Sequence, residues 1–337
     1  MKILILKPSS LGDVVQAMPV LRMLKLHWPG AQIYWWIETN SAALLEGDPD
    51  LAGLIAFNRK RWADPLRVGE IWKCISEMRA HQFDLVIDLQ ALVRSGAIAW
   101  VANGTYTVGL QDWRELALGF YDRSVPRPSP QTHAVDWYLE VLQLLGVPVR
   151  WDFDWFPKRA DMAAELVQVW NLNSNTIVLQ PGARWLNKRW PIEHFAEVVR
   201  LLHTRDKATK FVVMGSSGDR ELGRTICDAA PDVCLDLTGR TTLPQTVELI
   251  RASKLMVTND TGPMHIAAAL GTPVVGLFGP TNPARTGPYR QQQFALQQSE
   301  LNCVPCLKSF CSNSEPFACL RGISPARVAH EIAARLG

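Results

Sequence analysis

No apolar run in the 337-residue sequence approaches the roughly 20 residues that a membrane-spanning helix needs. The first residues, Met1-Lys2-Ile3-Leu4-Ile5-Leu6-Lys7, place only four apolar side chains before the next lysine. That is too short for the apolar region of a secretory leader. It suits a first buried strand, and the expected location is cytoplasmic. A large charge of one sign is also missing. The net charge of +3 is too small to imply a nucleic-acid partner. Cysteine is sparse and odd in number, seven in all, so a secreted disulfide framework is excluded. Two phosphate-binding signatures are absent as well. No Gly-x-Gly-x-x-Gly follows the first strand, and no Gly-Lys-Ser/Thr closes a P-loop.

What is present is an ordinary globular balance, 47% hydrophobic and 20% charged, which argues against disorder. The length implies about two domains. Short apolar runs alternate with amphipathic stretches. Strands are expected at 2–6, 32–37, 54–57, 84–88 and 106–109, and helices at 14–27, 66–80, 92–102 and 133–145. Residues 151–157 (WDFDWFP) interrupt the pattern with aromatics, acids and a proline. The alternation then restarts, with strands at 176–180, 210–214, 254–258 and 273–278 and helices at 160–170, 193–203, 218–229, 243–252 and 263–270. A last helix, at about 324–336, follows Ser324-Pro325.

Strands separated by helices of this length pair in parallel through right-handed crossovers. The expectation is an α/β protein of two Rossmann-like domains facing across a cleft. Residues 1–155 form the first, 156–322 the second, and 323–337 a C-terminal helix. Periodicity alone suits a periplasmic-binding-protein or epimerase arrangement equally well. The second half is the more basic: 20 Lys and Arg against 15 Asp and Glu after residue 157, compared with 15 against 17 before it. That suits a half holding an anionic ligand, or is scatter. Thirteen tryptophans are many. Most are expected in the core, with one or two stacking on a sugar or a base.

Asp260-Thr261-Gly262-Pro263-Met264-His265 follows an apolar strand and opens an apolar helix that Gly271 stops. Asp260 or Thr261 can cap that helix, and Pro263 suits its first turn. Free N–H groups and the helix dipole favour a phosphate there. The bland alternative is a well-capped turn, with His265 merely satisfying the cap. The first loop, Lys7 to Asp13, ends in a carboxylate at a helix start. Asp13 is either an N-cap or a general base facing the cleft. Residues 181–191 (PGARWLNKRWP) form a cationic loop, in which Lys188, with Arg184 or Arg189, can neutralise a diphosphate leaving group. In 215–221 (GSSGDRE), Asp219 or Glu221 can accept from ribose hydroxyls. Arg59-Lys60-Arg61-Trp62, with Arg67, Arg94, Arg123 and Arg127, is either an anionic-acceptor surface or a solvated charge run. Cys303-x2-Cys306-x4-Cys311-x7-Cys319 has the ligand density of a structural metal site but the spacing of no standard finger. Reduced cysteines that hold nothing are the alternative.

Three segments together resemble family 9 of the glycosyltransferases, the ADP-heptose:lipopolysaccharide heptosyltransferases: KPSSLGDVVQAMPVLR at 7–22, NKRWP at 187–191 and NDTGPMHIAAALGTPVVGLFGPTNP at 259–283. DLQALVRSG at 88–96 and HAVDWYLEVL at 133–142 also fit, so the resemblance runs in order through nearly the whole chain. It implies a GT-B fold and inverting transfer of heptose from ADP-heptose to the inner core of lipopolysaccharide. No cofactor is implied for catalysis, and the enzyme is expected to attach weakly and peripherally to the inner membrane. By resemblance, Asp13 is the base and Lys188 the diphosphate-binding lysine. Asp260, Thr261, Gly262 and His265 form the donor motif, with Glu221 as the ribose contact unless the alignment slides to Asp219. Arg59, Lys60 and Arg61 resemble the acceptor loop of the heptosyltransferase I-like branch, which acts on Kdo-bearing lipid A. The four-cysteine segment departs from the simplest members. A different donor, a protein acceptor, or a non-catalytic sugar-nucleotide binder are the rival readings.

Overall fold

The computed structural model describes residues 1–112 and 117–336. The chain divides into two compact units, Met1–Pro157 and Lys158–Gly337. The first unit holds β1 (Lys2–Leu6), β2 (Gln32–Glu38), β3 (Leu51–Phe57), β4 (Leu85–Asp88), β5 (Tyr106–Gln111) and β6 (Arg123–Pro126). They form one sheet in the order β3-β2-β1-β4-β5-β6, and every pair is parallel. The second unit holds β7 (Thr176–Gln180), β8 (Lys210–Val213), β9 (Cys234–Asp236), β10 (Leu255–Asn259), β11 (Val274–Phe278) and β12 (Ala295–Gln297). Their order is β12-β11-β10-β7-β8-β9, again all parallel. Numbered within its own unit, each sheet runs 3-2-1-4-5-6, the Rossmann order. Such sheets bind ligands beyond the carboxyl ends of the strands where the order reverses. Those points lie between β1 and β4 and between β7 and β10.

The central strands are apolar because helices cover both sheet faces. Ile3, Leu4, Ile5 and Leu6 of β1 have no exposed surface, and all five residues of β10 are buried. After β1 the chain enters the helix Leu11–His27, three residues earlier than its apolar stripe indicates. A capping box sets that start: Ser10 is the N-cap and Asp13 the reciprocating acid. In the second unit the helix Pro325–Leu336 is part of the same core. Its Val328, Ala329 and Ile332 lie with Phe195, Val199 and Leu277. Among the described residues, no helix is long and apolar enough to cross a membrane.

The first helix also buries a charge. Arg22 is 5% exposed and forms a fork on Asp48, with Nη1–Oδ1 at 2.6 Å and Nη2–Oδ2 at 2.5 Å. It donates further to Asp50 Oδ2 at 2.6 Å and to the Trp155 carbonyl at 2.8 Å. Removing one partner of a buried pair leaves the other charge desolvated, at a cost of about 3–5 kcal/mol. Arg22→Ala is therefore expected to lower the urea midpoint by that equivalent. A shift under about 1 kcal/mol would mean that water reaches Asp48 and replaces the guanidinium.

Candidate active site

In the first unit, β1 ends at Leu6 and delivers the loop Lys7–Ser10 to the reversal point beside β4. Asp13 Oδ2 accepts from Ser10 N at 2.9 Å and from Ser10 Oγ at 2.7 Å. The carboxylate thus sits in the first turn of the helix, beside its positive end. Arg59 reaches this loop. Its Nη2 donates to Ser9 Oγ at 2.5 Å and pairs with Glu38 at 3.1 Å. Arg59 belongs to the short helix Arg59–Trp62, whose N-cap Asn58 accepts from Lys60 N and Arg61 N. Trp62 packs against Phe57 and Trp36, with centroids at 4.8 Å and 6.1 Å, so it anchors this helix in the core. Arg61 and Arg67 both pair with Glu70. Of the three basic candidates, the structure brings Arg59 to the Asp13 loop and turns Arg61 to Glu70.

A second layer lies beneath this loop. Lys7 is 3% exposed, donates to the Leu89 carbonyl at 2.8 Å, and sits 4.8 Å from the Tyr138 ring centroid. Burial pushes its ammonium down, but Tyr138, Asp13 and Asp88 together hold it above its ordinary value. Asp88, fully buried at the end of β4, accepts from Tyr121 OH at 2.7 Å and from Gln90 N at 2.8 Å. Burial still raises its carboxyl, against the hydrogen bonds from Ser95 and Tyr121. No local motif marks Lys7 or Tyr138 as partners, because 131 residues separate them.

In the second unit, the loop after β7 meets the turn after β10. Lys188 Nζ lies 2.6 Å from Asp260 Oδ2, and Thr281 Oγ1 donates to the same oxygen at 2.6 Å. The Lys188 ammonium also lies 4.8 Å from the Trp185 ring centroid. Asn259 holds the two segments together: its Oδ1 accepts from Trp190 N at 3.0 Å and its Nδ2 donates to the Pro181 carbonyl at 2.6 Å. The cap differs from expectation. Thr261 occupies the N-cap of the helix Gly262–Leu270, but its side chain makes no cap hydrogen bond. Asp260 is turned to Lys188 and Thr281 instead. The cap side chain therefore does not occupy the start of this helix, whose positive end suits an anion. His265 is 9% exposed, one turn into the same helix. Thr281 was missed as a partner because it lies 21 residues beyond Asp260. Its only signal was its place in the GPTNP stretch.

The two acids at 219 and 221 separate by burial. Asp219 is 8% exposed and accepts from Ser216 N at 2.9 Å and Oγ at 2.7 Å. A Cβ on Gly182 would stand 2.7 Å from its carboxylate atoms, so that glycine makes room for the acid. Glu221 is exposed in the first turn of the helix Arg220–Cys227. Asp219 builds the turn, and Glu221 faces solvent beside it.

A structural metal at the four-cysteine segment finds no support. Among the described residues, no group of three or more His, Cys, Asp or Glu side chains is placed to hold a metal ion. Two of the four thiols accept hydrogen bonds. Cys303 Sγ accepts from Asn313 Nδ2 at 3.4 Å, and Cys311 Sγ from Phe317 N at 3.4 Å. The segment also buttresses the cationic loop, where Asn187 Nδ2 donates to the Lys308 carbonyl at 2.9 Å.

Each unit thus presents polar groups at its own reversal point: a carboxylate in the first, and a lysine beside a helix terminus in the second. Known proteins match along most or all of the chain. The model for glycosyltransferase family 9 (heptosyltransferase) matches residues 71–316. The chain is 29% identical to lipopolysaccharide heptosyltransferase 1 of Pseudomonas aeruginosa, covering 100% of this chain and 98% of the relative. It is 31% identical to lipopolysaccharide heptosyltransferase 2 of Salmonella typhimurium, covering 86% and 85%. Among solved structures, E. coli heptosyltransferase WaaC with ADP superposes with a TM-score of 0.80 at 25% identity, over 99% of this chain and 100% of that one. E. coli ADP-heptose lps heptosyltransferase II gives 0.78 at 27%, over 100% and 98%. The two parallel six-stranded sheets are those of a GT-B type α/β protein, and with the family match spanning most of its length, the chain belongs to glycosyltransferase family 9.

Proposed function

We propose that the protein transfers heptose from ADP-heptose to the inner core of lipopolysaccharide, with inversion at the anomeric carbon. The observation that carries this reading is the Lys188–Asp260–Thr281 group beside the uncapped start of the helix Gly262–Leu270. A fixed cation beside a helix N-terminus whose cap side chain makes no hydrogen bond suits a diphosphate. Asp13 takes the proton from the acceptor hydroxyl. The oxygen forms a bond to the anomeric carbon from the face opposite ADP. The bond from that carbon to the phosphate oxygen breaks, and its electron pair leaves with ADP. Lys188 and the helix terminus neutralise the charge that develops on the diphosphate. These fixed charges do the work that a bound cation does in other transferases, so no metal is assigned to catalysis.

His265 and Gly262 complete the donor cradle, with Gly262 allowing the close approach of the backbone. Glu221 accepts from the ribose. Arg59, Lys60 and Arg61 receive the anionic groups of a lipid A-core acceptor, Arg59 nearest the base. The enzyme works at the cytoplasmic face of the inner membrane, held weakly and by charge. Calorimetry tests the donor: ADP should bind while UDP and GDP should not, and equal affinity for all three would point to another donor. Mass spectrometry of products from truncated cores then identifies the acceptor.

One side-chain assignment is testable by contrast. Glu221→Ala is expected to weaken ADP binding about ten- to a hundredfold, the worth of hydrogen bonds to a charged group, with the melting temperature unchanged. Asp219→Ala should instead lower the melting temperature, because it leaves Ser216 N–H without its acceptor. The reverse pattern would assign the ribose contact to Asp219.

A further inference from the structure

The cysteines outside the four-cysteine segment include one pair in contact. Cys227 ends the helix Arg220–Cys227, and Cys234 begins the edge strand β9. The Cys227 thiol donates to Cys234 Sγ at 2.9 Å. A disulfide needs about 2.0 Å between its sulfurs, so only a small side-chain movement separates this pair from a bond. Both thiols line an open groove of about 640 Å³. The groove carries three arginines, Arg220, Arg224 and Arg240, against two carboxylates, Asp228 and Asp236. Asp236 is already committed, since its Oδ1 accepts from Thr238 N at 2.9 Å and Thr238 Oγ1 at 2.7 Å. Among the described residues none of the three arginines makes an ion pair. The groove therefore favours a small molecule bearing carboxylates. Cys74, the remaining cysteine of the first unit, is buried among apolar side chains and has no such access.

We propose that Cys227 and Cys234 are a thiol–disulfide exchange site, at which a small acidic disulfide docks on the arginines and oxidises the pair to an intramolecular disulfide. Cys227, half-buried, is the attacking group. Its thiolate attacks one sulfur of the small disulfide, and the other sulfur leaves as a thiolate and takes a proton from water. This gives a mixed disulfide on Cys227. Cys234 then loses its proton to solvent and attacks the Cys227 sulfur, expelling the second small thiol. Two protein thiols are oxidised, and one disulfide is reduced to two thiols. The hydrogen bond from Cys227, together with burial, pushes the Cys234 thiol up, which suits a second, resolving step rather than the first. The closed bond would tie the helix bearing Glu221 to the edge of the sheet.

The test exposes the reduced protein to glutathione disulfide, traps free thiols by alkylation, and maps peptides by mass. The expected result is loss of two hydrogens across Cys227 and Cys234, with Cys74 alkylated as before. In Cys234→Ser the resolving thiol is gone, and a glutathione adduct should accumulate on Cys227. Both thiols staying fully alkylatable while Cys303 reacts would overturn the proposal. So would the absence of an adduct in Cys234→Ser. Arg220→Ala with Arg224→Ala should slow the reaction with glutathione disulfide about tenfold and leave that with the neutral bis(2-hydroxyethyl) disulfide unchanged. Equal rates with both reagents would remove the arginines from the proposal.

Discussion

Asp13→Asn lowers the transfer rate by about 10²–10⁴-fold, the usual worth of a positioned general base, and leaves ADP affinity unchanged. The amide is the informative replacement. Asp13 Oδ2 also accepts from Ser10 N and Oγ, and so closes the capping box that starts the first helix. An amide oxygen can accept the same two hydrogen bonds, so the helix start survives and only the capacity to take a proton is lost. Alanine would remove both functions and add a capping loss of about 1 kcal/mol. The decrease should appear in kcat rather than KM, because the acceptor loses no positively charged partner. Single-turnover kinetics with ADP-heptose and a truncated core read this directly. An amide variant with the wild-type rate would place the base elsewhere.

Lys188→Ala is expected to cost about 10²–10³-fold in kcat and to weaken ADP binding as well. Lys188 pairs with Asp260, and Thr281 donates to the same carboxylate oxygen. Asp260 thus keeps the ammonium at the mouth of the helix terminus. Without the lysine, a carboxylate that is 7% exposed faces the incoming diphosphate with Thr281 as its remaining side-chain partner among the described residues. Part of the loss is therefore repulsion. The double variant Lys188→Ala with Asp260→Asn should recover some ADP affinity relative to the single change, a coupling that a double-mutant cycle isolates. If Lys188→Ala alone leaves both ADP affinity and kcat intact, the diphosphate is held by other groups.

The central strands of both sheets were legible because burial on both faces demands uninterrupted apolar runs, as in β1, β7, β10 and β11. Three strands were not legible: β6, β9 and β12. Each is an edge strand of three or four residues, paired on one side only and too short for a period to register. The same contrast holds at the site. Asp13, Lys188 and Asp260 stand at strand-to-helix turns that sequence pattern locates. Lys7 with Tyr138, and Thr281 with Asp260, meet only through sheet topology. Asp219 and Glu221 have the same chemistry within one turn, and burial alone separates them.

The Asn259 clamp has a consequence for how the enzyme meets a changing proton concentration. One primary amide donates to the Pro181 carbonyl and accepts from Trp190 N–H at the same time. A carboxylate could not make the first of these bonds, and a protonated acid would make it only in acid. The amide does not titrate in the range where carboxylates and imidazoles do. The frame that sets Lys188 against the helix terminus is therefore silent to pH, and the acidity dependence of donor binding is left to the ligand's own phosphates and to the charged groups that touch them.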